Sequence, residues 1–351
     1  MWSDVVTQTL ASPGEAPPTA PRQRAGAGLG AAARRLFIQW GILPVLLLAL
    51  IATFASIEPR FLSEANLTNV ARQLSFLGII ALGQMLYLVT RHYDLSNGAC
   101  VALSSIVGAM VMTSVAKSGS TGTAILLGCL AGIAVGLVVG VVNAVLIAVF
   151  KISAFMVTLG TASAATGTAL LLSGGTPVVG LPPEFARQFG TSMVLGIPFP
   201  TFVMILALLA AYVFLNWTRL GRQAYAVGGN ESAAYQSGVN VRRTLLTVMI
   251  VGSLLAALVG LMLTARMSTG EANVGVQYPL QSIIAAVLGG VSLDGGEGRV
   301  AGVLMGALFL VLLSNGMDLI RVQSYVQDIL LGALLVTALL VDRLRKRMRL
   351  T

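Results

Sequence analysis

Apolar runs follow one another almost without pause along this chain, at 36–55, 74–90, 99–116, 123–149, 152–172, 200–217, 245–266, 279–292, 299–316 and 322–341. A helix needs about 20 mostly apolar residues to cross the hydrocarbon core of a bilayer. Inside that core every backbone N–H and C=O must be bonded within the segment, so runs of this kind are read as helices. The expected fold is therefore an all-α polytopic membrane protein with about ten transmembrane helices. The second and eighth runs are short or glycine-broken, and their ends are the least defined. Composition agrees: 56% of residues are hydrophobic and 10% charged, against roughly 25% charged in a soluble domain. The 39 glycines suit helices that approach one another closely.

The formal net charge of +9 does not point to nucleic acid. The positive residues sit in short segments between apolar runs, where orientation in a membrane requires them. With the N-terminus inside, sixteen of the 22 Lys and Arg fall on the cytoplasmic side and six outside. Both termini are thus expected in the cytoplasm. Residues 1–35, rich in Ala, Pro, Gly and Arg, read as a disordered cytoplasmic tail, 36–342 as the transmembrane domain and 343–351 as a basic cytoplasmic tail. No A-x-A-like cleavage site precedes the first apolar run, so it is expected to be a retained helix. Cys100 and Cys129 lie in apolar runs without CxxC spacing and read as small buried hydrophobes. His92 is the only histidine, which excludes a histidine metal cluster.

The polar interruptions carry the functional signal. Residues 172–175 read LSGG, but no G-x-x-x-x-G-K-[ST] phosphate loop occurs anywhere. That segment reads as a helix breaking at Gly174, and this chain is not expected to bind ATP, a cofactor or a metal. No nucleophile–base pair marks it as an enzyme. The longest cytoplasmic interruption, 218–244, contains GRQAYAVGGNESAAYQSGVNVRR. Asn230 is a good N-cap, Glu231 favours the helix N-terminus, and Gly238 can close the helix as its C′ residue. Ala233 and Ala234 give the short helix a small face. Arg222, Gly228 and Gly229 precede it. Such a helix, held between two membrane spans, suits docking into a partner's groove; the alternative is an ordinary solvated loop.

Two Asp-Gly turns rhyme, HYDLSNG at 92–98 and SLDGGEGR at 292–299. Asp94 either lies near a pathway or caps the following helix. Asn143 and Asn315 are expected to bond neighbouring helices. Thr158, Thr161, Ser163, Thr166 and Thr168 either pack helices or, with Phe155 and Asn143, line a path. The external loop 173–199 is too rich in Pro and Gly for a long helix. Asp318, Gln323, Gln327 and Asp328, near the outer end of the last hairpin, either meet a partner or are solvated.

The stretch LGRQAYAVGGNESAAYQSGVNVRR closely resembles the cytoplasmic loop of ABC sugar-importer permeases of the ribose/xylose/arabinose type. NAVLIAVFKISAFMVTLGTASAATG (143–167) and AVLGGVSLDGGEGRVAGVLMGALFLVLLSNGMDLIRVQSYVQDILLGALLV (286–336) resemble further segments of that family. VTRHYDLSNGACVALSS (89–105) is similar only in part: Arg91 and His92 replace a Gly-Gly, and Tyr93 and Asn97 also depart. The resemblance covers roughly 60–343. It implies a type II ABC-importer-like permease in the bacterial inner membrane, importing a monosaccharide or related polyol. It implies three partners besides membrane lipid: a cytoplasmic ABC ATPase holding ATP and Mg, a periplasmic or extracellular substrate-binding protein, and a second identical or related permease. The loop would be the coupling helix, with Arg222, Gly228, Gly229, Asn230, Glu231, Ala233, Ala234 and Gly238 at the ATPase, and Asp94, Asn143, Phe155, Thr158 and Thr161 at the path or gate. Rival readings are a permease for branched-chain amino acids, nucleosides or a furanose-like signal, and an ion-coupled secondary transporter centred on Asp94.

Overall fold

The structure, a computed structural model, describes residues 43–349. The expected N-terminal tail and the first residues of the first apolar run lie outside the described residues. The ten expected spans all appear as helices. They are α1 (Leu43–Ile57), α2 (Glu64–Val89), α3 (Asn97–Ala116), α4 (Thr121–Ala148), α5 (Ala154–Ser173), α6 (Phe199–Trp217), α9 (Val241–Met267), α10 (Tyr278–Leu288), α11 (Val300–Leu319) and α12 (Ser324–Arg349). Between α6 and α9 lie α7 (Arg219–Gly229) and α8 (Glu231–Gln236). Among the described residues seven helices are long and apolar enough to cross a membrane, and α1, α10 and the first part of α12 are shorter apolar helices.

Local chemistry fixes several of the starts. Ser63 accepts from the Asn66 N–H at the head of α2, Ser120 from Thr123 at α4, Thr218 from Gly221 at α7, and Asn240 from Arg243 at α9. Each cap satisfies one of the orphan donors of a first turn. Helix α5 ends as the LSGG reading expects: Gly174 takes the left-handed conformation (φ 61°) and its N–H turns back to the helix carbonyls.

Helix α2 is the hub. It packs against α6, α9, α10 and α11, and every residue from Ser75 to Val89 is buried. Helices α3 and α4 pack on α9 and on each other, with α5 on the outer side of α3. Asn315 of α11 and Asn66 of α2 exchange two amide hydrogen bonds of 2.8 and 2.9 Å, the interhelical link expected of Asn315. The loop after α5 holds a turn at Pro183–Phe185, a π-helical turn at Ala186–Thr191 and a small hairpin pairing Met193–Val194 with Ile197–Pro198.

The link between α9 and α10 is not helical. Gly270 pairs with Val178, and the Glu271 N–H donates to Ser105 Oγ at 3.1 Å. Gly275 then presses its backbone onto Gly98, where a Cβ on either residue would overlap the other's carbonyl oxygen. This strap therefore runs back along α3, from Ser105 to the first turn. Irregular backbone among membrane helices is tolerated where protein covers it or water reaches it.

Candidate functional site

The polar interruption at 218–244 folds as its residues predict. Asn230 Oδ1 accepts from the Ala233 N–H at 2.9 Å, and Gly238 leaves the helix with φ 81° and its N–H on the Tyr235 carbonyl. Helix α8 is thus a short rod between α7 and α9. Its exposed side presents Glu231, Ala233 and Tyr235, and Arg222, Gly229, Asn230 and Gly238 are exposed beside them. Gly228 and Ala234 are buried and face the bundle. An open groove of ≈ 970 Å³ runs along this side, lined by Lys151, Glu231, Ser232, Tyr235 and Arg242 among others.

Fastening of this rod is what the primary structure could not display. The Gly228 backbone lies against the Val89 carbonyl at the end of α2, where any Cβ would overlap that oxygen and approach the Gly296 nitrogen to 2.8 Å. The Gly296 N–H donates to the same Val89 carbonyl at 2.9 Å. Tyr225 of α7 donates its hydroxyl to the Gly298 carbonyl at 2.9 Å. Burial pushes the Tyr225 phenol up from its ordinary value, so it keeps this proton. Lys151, in the α4–α5 turn, reaches Glu231 at 3.0 Å. The two rhyming turns meet here: Tyr93 Oη donates to the Leu293 carbonyl at 3.4 Å. Helices α7 and α8 are therefore tied to the ends of α2, α4 and α11 at once.

Above this joint lies a buried polar cluster. Asp94 is 1% exposed. Its Oδ1 accepts from the Ser96 N–H at 2.8 Å and the Ser96 hydroxyl at 2.6 Å, which fastens the turn leading into α3. Asn143 Nδ2 donates to Ser96 Oγ at 2.8 Å, and Thr161 donates to Asn143 Oδ1 at 2.7 Å. The cluster thus joins α3, α4 and α5. Thr158 is buried and returns its proton to the Ala154 carbonyl at 2.8 Å. Phe155 points outward, 56% exposed. Asn97 adds a second branch, donating to Gln84 Oε1 and Ser282 Oγ, both at 3.1 Å. Gln84 and Ser282 were not singled out from the sequence. A lone Gln inside an apolar helix is the signal that could have found the first; Ser282 carries none.

His92 is half-buried, with Nδ1 facing the Thr90 carbonyl at 2.6 Å. Burial pushes its ring below the ordinary value. Among the described residues no group of three or more His, Cys, Asp or Glu could hold a metal.

A bundle of apolar helices, seven of the described ones long enough to cross a membrane, with the short rod α8 mounted firmly at one end, is a multi-pass membrane protein. The comparisons with known proteins make this specific. The family described as "Branched-chain amino acid transport system / permease component" matches residues 66–339, and the chain belongs to it. The ribose import permease protein of Bacillus subtilis (strain 168) is 39% identical over 299 residues, covering 85% of this chain and 90% of that protein. The D-allose transport system permease protein of Escherichia coli (strain K12) is 33% identical, covering 85% and 90%. The L-arabinose transport system permease protein of the same strain is 33% identical over 317 residues, covering 90% and 94%. No solved structure matches the chain.

Proposed function

We propose that this chain is the membrane permease subunit of an ATP-driven importer in the bacterial inner membrane, and that its cargo is a monosaccharide or related polyol. The observation that carries the reading is the mounting of α8. An exposed helix with a small face, pinned through Gly228, Tyr225 and Glu231 to several helix ends, suits a part that receives a push from another protein. ATP and Mg would be bound by a separate ATPase seated on the face around Ala233, and an external binding protein would deliver the cargo. A second permease copy, identical or related, would complete the path. The named relatives carry ribose, allose and arabinose in their titles, which favours a sugar over the amino acid in the family description.

Reconstitution in proteoliposomes with its ATPase and binding protein tests the reading. Uptake of radiolabelled ribose, allose or arabinose should require ATP on the α8 side. Ala233→Trp should suppress both uptake and cargo-stimulated ATP hydrolysis while leaving the amount of inserted permease unchanged. Sugar uptake driven by an ion gradient without ATP would overturn it, as would normal coupling in Ala233→Trp.

A further inference from the structure

A polar seam lies where α10 meets α12, away from the cluster around Asp94. Gln277 Nε2 donates to Asp328 Oδ1 at 3.0 Å, and Gln281 Nε2 donates to Gln277 Oε1 at 3.1 Å. Gln277 and Gln281 are four residues apart and so share one side of the chain as it enters α10. With Asn273 and Tyr278 they line an open cavity of ≈ 380 Å³. Asn273, Gln277 and Asp328 are exposed and Gln281 is half-buried.

The seam sits inside the span of α11. Gly306 packs on the Ala285 carbonyl of α10, and α11 continues to Leu319. At about 1.5 Å per residue, Gln281 lies roughly 14 Å and Gln277 roughly 8 Å below that outer end. Asp328, one turn into α12, falls at a matching level. Lipid at this depth would leave two amides and a carboxylate without solvent, which membrane proteins avoid. The seam therefore faces water or something that bonds like water.

Polarity continues beyond it. Ser282 follows Gln281 and accepts from Asn97, which also donates to Gln84. Gln84 and Asn97 are 1% and 3% exposed, yet Gln84 Nε2 and Asn97 Oδ1 have no partner. One donor and one acceptor thus stand unpaired, on two side chains that bond each other through their remaining amide atoms. A hydroxyl serves both, because it donates and accepts at once. The open side of α5 offers less: Ser163 and Thr168 spend their protons on the carbonyls of Leu159 and Ala164.

We propose that the α10–α12 seam is a cargo-contacting subsite, in which Gln277 and Gln281 exchange hydrogen bonds with a neutral, polyhydroxylated solute moving toward Gln84 and Asn97. Neutral amides with a single carboxylate, Asp328, neither attract an anion nor build a cation cage. The inference rests on the importer reading above and adds the residues that read the cargo.

The test uses the complete importer with Cys129 replaced by Ala, since Cys100 is fully buried. Gln277→Cys and Gln281→Cys should react with a membrane-impermeant methanethiosulfonate reagent applied from outside, and ribose should slow the reaction during turnover. Gln281→Leu should lower maximal ribose uptake about tenfold, the cost of one neutral hydrogen bond in the limiting step. Binding-protein-stimulated ATP hydrolysis should survive in that variant. Cysteines that stay unreactive would place the seam against lipid or protein and overturn the proposal. So would labelling indifferent to ribose together with full uptake by Gln277→Leu and Gln281→Leu. If the unmodified complex imports sugar and these results fail, only the seam falls; if it imports no ribose, allose or arabinose, the cargo assignment falls with the functional reading.

Discussion

Gly228 and Gly229 are neighbours with opposite constraints. A methyl on Gly228 would overlap the Val89 carbonyl, whereas one on Gly229 meets nothing within 4 Å. Backbone cannot yield as a flexible side chain can, so Gly228→Ala should destabilise the folded permease by about 1–3 kcal/mol. Gly229→Ala should leave it near the original value. Thermal unfolding midpoints in detergent distinguish them, and equal midpoints would refute the joint. His92 makes a pH prediction. Its folded-state value is depressed by burial, so the unfolded chain takes up a proton first. Stability is then full above about pH 6.5, the unfolded value, and falls as pH drops through it toward the folded one. His92→Gln should remove that acid-side slope from a plot of melting temperature against pH. At this scale the sequence was partly legible. The cap at Asn230 and the stop at Gly238 act on neighbours in the chain, so local pattern revealed them. Gly228 acts on Val89 and Gly296, which only folding brings near.

At the scale of elements, α8 depends on its ends more than on its length. Six residues cannot hold a helix alone in water, so caps and neighbours must. Asn230→Ala should cost about 1 kcal/mol through the lost cap. It should also raise amide hydrogen exchange across 231–236. Lys151→Met and Glu231→Gln, by contrast, should each change stability by under about 1 kcal/mol, because both partners are more than half exposed. A larger loss in either would mean that this tie is stronger than an exposed ion pair supplies. Helix α10 shows where reading by element ran short. Its apolar run is brief, and the polar residues before it, Asn273 and Gln277, carry no motif that marks them out. The strap brings them beside Gln281, and Gln277 bonds Asp328. Among the outer polar residues expected either to meet a partner or to be solvated, Gln327 bonds Asp318 at 2.7 Å and Asp328 bonds Gln277 at 3.0 Å.

For the whole molecule, orientation follows from charge. Among the described residues Arg91, Lys151, Arg219, Arg222, Arg242, Arg243 and Arg299 border the α8 end of the helices, the end that positive-inside bias assigns to the cytoplasm. Tags at either terminus should therefore be cleaved by external protease only in inside-out vesicles; cleavage of one tag in right-side-out cells would require an odd number of crossings. Ten apolar segments, the rod at 231–236 and the likeness to sugar permeases were all set by the sequence alone. Each rests on composition or on contacts a few residues long. The fastening of the rod, the bond from Asn143 to Ser96, and the alignment of Gln84, Asn97 and Ser282 were decided only by tertiary structure. Their partners stand as far apart as Val89 and Gly296, and among apolar helices nothing in local hydropathy says which faces will meet.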